Sequence, residues 1–348
     1  MPAAGESEPF RMSTITDVAR EAGVSVATVS RALRGLDRVS PQTRDKVLEV
    51  AARLHYVASP TATSLASGRT RVVGVVAPFL TRWFFATMVS AIEKELRRHG
   101  HHVLLLDLED DAPNSRLSLT QEMLWKRVDG LVTLNIPLTG AEVDLLDLLH
   151  LPAVAIGTPV PGRPLVCIDD VEAMRTATEH ILSLGHEHIA YIGAVPENIA
   201  HVQTPAARLD SFRETMHAHG RRTAKQWVLG SQWTADSAHA DALRLLRESE
   251  RPTAIVAASD EMAIGVLAAA SSLGLRVPQD LSVIGIDDFF LSRVLGLTTV
   301  AQDVVAQGQT AAAILLETLL HGIPLPVATT TIAIRLVVRA STSAPALR

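Results

Sequence analysis

Arg31 has the side chain best suited to reading another molecule at the start of this chain. If the surrounding segment is helical, Val26, Ala27, Ser30 and Arg31 share its outward face. A guanidinium fork pairs bidentately with O6 and N7 of guanine, and small apolar side chains contact the thymine methyl. Around them stand Thr14, Ser25, Thr28, Arg34, Arg38, Ser40 and Thr43, donors suited to phosphate contacts that fix register without reading bases. An exposed arginine is more often simply solvated, so this chemistry depends on the elements that present it. Two histidine groups, His99-His101-His102 and His186-Glu187-His188, raise metal binding. One surrounds Gly100 and the other follows Leu184-Gly185, helix ends at which histidine complements the dipole. A zinc site needs three or four convergent ligands, so no metal is expected. No glycine-rich phosphate loop or nucleophile elbow appears, so neither an enzyme nor a cofactor is predicted.

The elements that would hold Arg31 are legible. Thr14 can cap a helix in a capping box with Asp17, and Ile15, Val18, Ala19 and Ala22 then fall on one face. Gly23 follows where the chain must turn sharply. Ser25 caps a second helix whose Val29 and Leu33 return to the core. Ser40 and Pro41 open a third, with Val47, Val50, Ala51 and Leu54 as its buried stripe. A small Ala19 at the crossing, Gly23 in the turn and Val29 between the helices are what a helix-turn-helix requires.

Charge points the same way. Residues 11–71 hold ten arginines and lysines against five carboxylates, on a chain whose net charge is −5. A basic head on an acidic body favours a polyanion partner for the head alone. The 348 residues suggest two or three domains, and 47% hydrophobic content is ample for a large core. A single cysteine, Cys167, excludes a disulfide framework or a cysteine-based zinc site. No apolar run reaches the ~18 residues of a spanning helix, and residues 1–10 lack the apolar stretch of a secretory signal. No membrane partner and a cytoplasmic location are therefore expected. The predicted division is a disordered leader (1–12), a helix-turn-helix domain (13–58), a linker (59–70), a large second domain (71–340) and a tail (341–348).

The stretch from Thr14 through Asp17, Val18, Ala19, Ala22, Gly23 and Ser25 to Thr28-Val29-Ser30-Arg31 resembles the head of the lactose/galactose-repressor (LacI/GalR) family. The resemblance implies that Val26-Ala27 and Arg31 are the specificity element. It also implies that 59–68 is a hinge helix, too short to be stable alone, that folds on operator and wedges Leu65 into a minor-groove base step.

Past Arg71, short apolar runs alternate with helical stripes. Residues 72–76, 103–106, 131–134, 153–156, 189–193, 254–257 and 282–285 read as buried parallel strands, and Phe84, Met88, Ile92 and Leu96 as one helix face. The alternation gives an α/β class of doubly wound sheets, with ligands beyond the carboxyl ends of the strands. This part resembles the periplasmic-binding-protein-like domain of the same family, implying two lobes joined by three crossings.

On matching motifs, the resemblance assigns the effector site to Phe85, Arg208, Trp233, Ser259, Asp260 and Asp287. Arg208 would clamp ligand oxygens, Trp233 would stack on a ring, and Asp287 would accept from hydroxyls. Plainer readings stand beside these: the aromatics as core, Asp260 as a cap of the helix beginning at Glu261, and Arg208 as the partner of a nearby carboxylate. Gly157 stands where some relatives place a cleft aspartate, and Arg335 where glutamate is common. The reading is a homodimeric repressor on a palindromic double-stranded DNA operator, its affinity altered by a small-molecule effector, a sugar or related polyol. The alternative is a solute-binding protein of the periplasmic type. The final residues lack apolar heptads, so no coiled-coil tetramer is expected.

Overall fold

The computed structural model describes residues 13–57, 68–78, 80–108, 116–194 and 203–346. The expected leader and most of the hinge segment, Leu65 included, lie outside the described residues. The chain separates into two compact units, Met1–Thr70 and Arg71–Arg348.

Among the described residues, three helices build the first unit: α1 (Ile15–Ala22), α2 (Val26–Leu33) and α3 (Pro41–Arg53). Each begins on a hydroxyl cap. Thr14 and Asp17 form the reciprocal box, with the Thr14 N–H donating to Asp17 Oδ2 at 3.0 Å. Ser25 Oγ accepts from the Thr28 N–H at 3.1 Å, and Ser40 Oγ from the Thr43 N–H at 3.2 Å. Gly23 ends α1 at φ 68°, the left-handed conformation that turns the chain directly into α2. Val18, Ala19, Ala22, Val29, Ala32, Val47, Val50 and Ala51 pack as one core, with Leu33 and Leu54 at its margin.

The second unit consists of two lobes, each a six-stranded sheet. In chain order the strands are β1 (Val72–Ala77), β2 (His102–Asp107), β3 (Gly130–Leu134), β4 (Ala153–Ile156), β5 (Leu165–Cys167), β6 (Ile189–Gly193), β7 (Val228–Gly230), β8 (Ala254–Ala257), β9 (Ser282–Asp287), β10 (Thr298–Gln302), β11 (Thr329–Thr331) and β12 (Ile334–Val337). The first sheet runs β11-β5-β4-β3-β1-β2 and the second β12-β10-β9-β8-β6-β7; among these strands only β12 pairs antiparallel, with β10. The helices are α4 (Trp83–Arg98), α5 (Gln121–Leu124), α6 (Gly140–Leu148), α7 (Asp170–Ser183), α8 (Gln203–Ala218), α9 (Ala235–Leu246), α10 (Asp260–Ser272), α11 (Phe290–Val294) and α12 (Val304–His321).

The chain crosses between lobes three times: after β5, at Asp303 between β10 and α12, and between β11 and β12. The second crossing makes α12 a helix of the first lobe, where it packs on α4. Gly308 sits at the closest approach, since a Cβ there would lie 3.0 Å from the Ala91 Cβ and 3.0 Å from the Met88 carbonyl oxygen. Every strand anticipated from apolar runs is present. Those not anticipated, β5, β7, β10, β11 and β12, are three to five residues long, too short or too polar to show a period.

Two details differ from expectation. Ser341 is buried, accepting from the Thr298 N–H at 2.8 Å and donating to the Val283 carbonyl at 2.6 Å. The Ser343 carbonyl lies 2.8 Å from His186 Nε2. The first residues of the expected tail are thus part of the second lobe. His186 is likewise no dipole partner at a helix end: it is buried, with Nδ1 2.8 Å from Thr253 Oγ1, and burial lowers its pKa. His99 does cap α4, its Nδ1 3.1 Å from the Glu95 carbonyl.

Candidate nucleic-acid interface and ligand cleft

On α2, Val29 and Ala32 face the core, while Val26, Ala27 and Arg31 are exposed and Ser30 is half-exposed. The local chemistry sorts the basic residues of this unit. Arg20 pairs with Asp17, Arg53 with Glu21 at 2.6 Å, and Arg44 donates to the Leu36 carbonyl at 2.8 Å. Arg34 folds back to the Ser30 carbonyl at 3.1 Å. Arg31 and Arg38 engage no partner among the described residues. The hydroxyls of Ser25 and Thr28 lie 2.8 Å apart, as do those of Ser40 and Thr43. These four side chains are spent on starting helices, so what the helix starts present outward is chiefly their first N–H groups.

In the second unit, a cleft continuous with solvent opens at the carboxyl ends of both sheets. From the first lobe, Trp83, Phe84, Phe85, Asn135 and Gly157 line it. From the second come Asp170, Thr204, Arg208, Trp233, Ser259, Glu261, Asp287 and Phe289, while Gln302 and Gln307 flank the second crossing.

Arg208, on α8, is its best-held cation. Its Nε and Nη2 reach one oxygen of Asp170 at 2.8 and 2.7 Å, and Nη1 donates to the Ala258 carbonyl. Thr204 secures the other oxygen of Asp170 at 3.0 Å. The residue is only 4% exposed, with the Trp233 ring centroid 5.7 Å from its Cζ. Both sequence readings of Arg208 therefore hold together: it pairs with a carboxylate and it lines the cleft. A fork anchored this way is already oriented and keeps N–H groups to spare.

Asp287 closes β9 and is 8% exposed. Burial pushes its carboxyl up to about 7; Arg208 opposes the shift and the neighbouring Asp260 adds to it. Gln302 Nε2 donates to its Oδ1 at 2.6 Å.

Asp260 does not line the cleft. It is fully buried, accepting from the Phe289 N–H at 2.9 Å, Ser292 Oγ at 2.6 Å and Thr299 Oγ1 at 2.7 Å. It anchors the loop after β9 from beneath, and both its oxygens are spent. Ser259, not Asp260, caps α10, accepting from the Met262 N–H at 3.2 Å, and Ser259 does reach the cleft. Phe85 is largely core, with Phe84 set edge-on to it at 5.2 Å.

Sequence reading missed Asn135, Gln302 and Gln307. At Gly157, φ is 75°, and a Cβ there would fall 1.6 Å from Asn135 Oδ1. The amide fills the room a side chain at 157 would need. Its Oδ1 is buried and has no hydrogen-bond partner among the described residues. Across the cleft mouth, Trp83 of the first lobe meets Phe289 of the second edge-on at 5.0 Å.

Residues 14–59 match the lacI family of bacterial regulatory proteins, and residues 178–342 match a periplasmic binding protein-like domain. Catabolite control protein A of Priestia megaterium is 35% identical over 83% of this chain and 87% of its own length. The chain belongs to the LacI family. The HTH-type transcriptional repressor PurR of Haemophilus influenzae (strain PittEE) is 31% identical, covering 89% of this chain and 92% of its own. The Lac repressor dimer bound to operator and the anti-inducer ONPF superposes with a TM-score of 0.83 at 28% identity, covering 96% of this chain and 100% of that one. As a LacI-family member the protein is a DNA-binding transcriptional regulator with a periplasmic-binding-type effector domain, and not an enzyme.

Proposed function

We propose that this LacI-family protein is a repressor that binds a palindromic operator as a homodimer and changes its grip when an uncharged, ring-bearing polyol occupies the interlobe cleft. Arg31 with Val26 and Ala27 reads base edges. Arg34, Arg38 and the helix starts at Thr14, Ser25, Thr28, Ser40 and Thr43 fix register on phosphates. Leu65 is assigned to the minor groove. In the cleft, Arg208 and Asp287 engage ligand oxygens, Ser259 adds a hydroxyl, and Phe85 and Trp233 supply apolar faces.

The observation that carries this reading is Arg208 held from behind by Asp170 beside both Trp233 and Asp287. It gives one pocket a donor fork, an acceptor and a stacking surface. Charge narrows the ligand class. Arg208 is balanced by Asp170 and Asp287, and the field of Arg82 falls on Glu261; a phosphate would meet more carboxylates than cations. The related regulator CelR has been solved with cellobiose (28% identity, TM-score 0.67), and a relative from Enterococcus faecium with ribose (24% identity).

A panel of sugars, sugar phosphates and nucleosides tests this by intrinsic fluorescence, since two of the four tryptophans line the cleft. A neutral sugar or polyol should quench or shift the emission, and Arg208→Ala should weaken that response at least tenfold. A response confined to phosphorylated compounds would overturn the ligand class.

A further inference from the structure

The second crossing carries a chain of hydrogen bonds that neither the comparisons nor the sequence assigns. Gln307 Nε2, on the first turns of α12, donates to Gln302 Oε1 at 2.9 Å. Gln302 Nε2, at the end of β10, donates to Asp287 Oδ1 at 2.6 Å. Both glutamines are buried. In this arrangement Gln302 turns its NH₂ to Asp287 and its oxygen away, and Gln307 supplies the N–H that meets that oxygen; it is the order required whenever Asp287 is ionised, since a carboxylate only accepts. The residue after Gln307 is Gly308, the point of closest approach between α12 and α4, so Gln307 moves with the first lobe. Gln302 and Asp287 belong to the second.

We propose that Gln302 and Gln307 form a strap across the second crossing, through which the first lobe positions the carboxylate of Asp287 in the second. Gln307 borders the cleft, and in the strap it is a positioning residue, holding the Gln302 amide in the orientation that serves Asp287. When the lobes rotate about the crossing, the first turn of α12 leaves the end of β10 and the strap opens. Asp287 then loses its donor. For operator control the strap matters through Asp287's role as effector contact, and in that respect it rests on the function proposed above; its existence does not.

Other groups facing Asp287 set the baseline against which the strap is read. They are Arg208 on α8 with Asp170 of α7 behind it, Asp260 and Glu261 on α10, Asp288 next in the chain, Asp303 at the crossing, and Arg335 and Arg339 on and after β12. Of these residues, Asp303 also meets Gln307 directly, its carbonyl 3.4 Å from Gln307 Nε2.

The test is the melting temperature of the full chain from pH 5 to 9, without ligand. A carboxyl whose pKa is raised in the folded state gives stability that falls as pH climbs from the ordinary carboxylate range and levels off at the folded value. Subtracting the profile of Asp287→Asn leaves the part of this fall that depends on Asp287, its coupling to the likewise raised Asp260 included, and that part should level off near pH 7 in the unsubstituted protein. Gln307→Leu, measured with and without Asp287→Asn, should move the levelling point upward by about half to one pH unit. Gln302→Leu should do the same. If Gln307→Leu lowers the melting temperature equally at every pH, Gln307 only fills space and the strap is refuted. Should Gln307→Leu unfold, Gln307→Glu serves: its carboxylate would draw the Gln302 NH₂ away from Asp287 and move the levelling point up further, and an unmoved point would again refute the strap. These profiles need no effector, so they can fail while the fluorescence panel succeeds, and the reverse.

Discussion

Arg31→Ala removes a guanidinium that nothing engages among the described residues, whereas Arg20→Ala removes one already paired with Asp17. The two substitutions should therefore separate. Loss of Arg31 should cost ~1–3 kcal/mol of operator binding and relax preference at one base pair in each half-site. Loss of Arg20 should leave base preference unchanged. Binding to the operator and to its single-base variants measures both, and a uniform loss across all variants for Arg31→Ala would assign that side chain to phosphate. At this scale the sequence was informative where a side chain sits inside a long motif. Arg208 and Asp287 could be placed that way. Asn135, Gln302 and Gln307 could not, because an amide is polar without being charged and carries no spacing signature; what recruits them is the room at Gly157 and the geometry of a crossing. Asp260 was misread because two acids that follow two strands look alike in sequence. Both are buried, and only the three-dimensional hydrogen bonding distinguishes the one whose oxygens are spent on Phe289, Ser292 and Thr299.

At the scale of elements, the caps Thr14, Ser25 and Ser40 and the apolar runs were enough to place the head helices and most strands, since each is a local rule. The short strands and the closing segment were not, because their partners lie far away in the chain: Ser341 is held by β9 and β10, and His186 by Thr253 and the Ser343 carbonyl. That closing segment makes a pH prediction. Burial lowers the pKa of His186, and also that of His180, which hydrogen-bonds Thr342 at 3.0 Å. The fold therefore favours the neutral rings. Their contribution is complete above the ordinary imidazole value near 6.5 and is lost as pH falls from there through the lowered folded values. His186→Gln should lower the melting temperature at pH 8, where ~1 kcal/mol of hydrogen bonding is lost, and should flatten the decline between pH 6.5 and 5. A decline as steep as before would show that His186 is not among the groups that titrate on unfolding.

For the whole molecule, the account depends on two surfaces answering to one another: an exposed α2 face in the first unit and an aromatic-rimmed cleft in the second. A second copy enters because two-fold symmetry is what matches two recognition helices to a palindrome. Coupling requires that the cleft's occupant bind one lobe arrangement better than the other, and its size equals that difference in affinity. The most direct measurement is a fluorescence-anisotropy titration of the full chain on a palindromic duplex selected from random sequence, with and without a saturating amount of the compound that gives the largest tryptophan response. The account predicts apparent Kd values that differ by about tenfold or more, with Arg208→Ala abolishing the difference while leaving the ligand-free Kd in place. Equal Kd values with the cleft empty and full would contradict it.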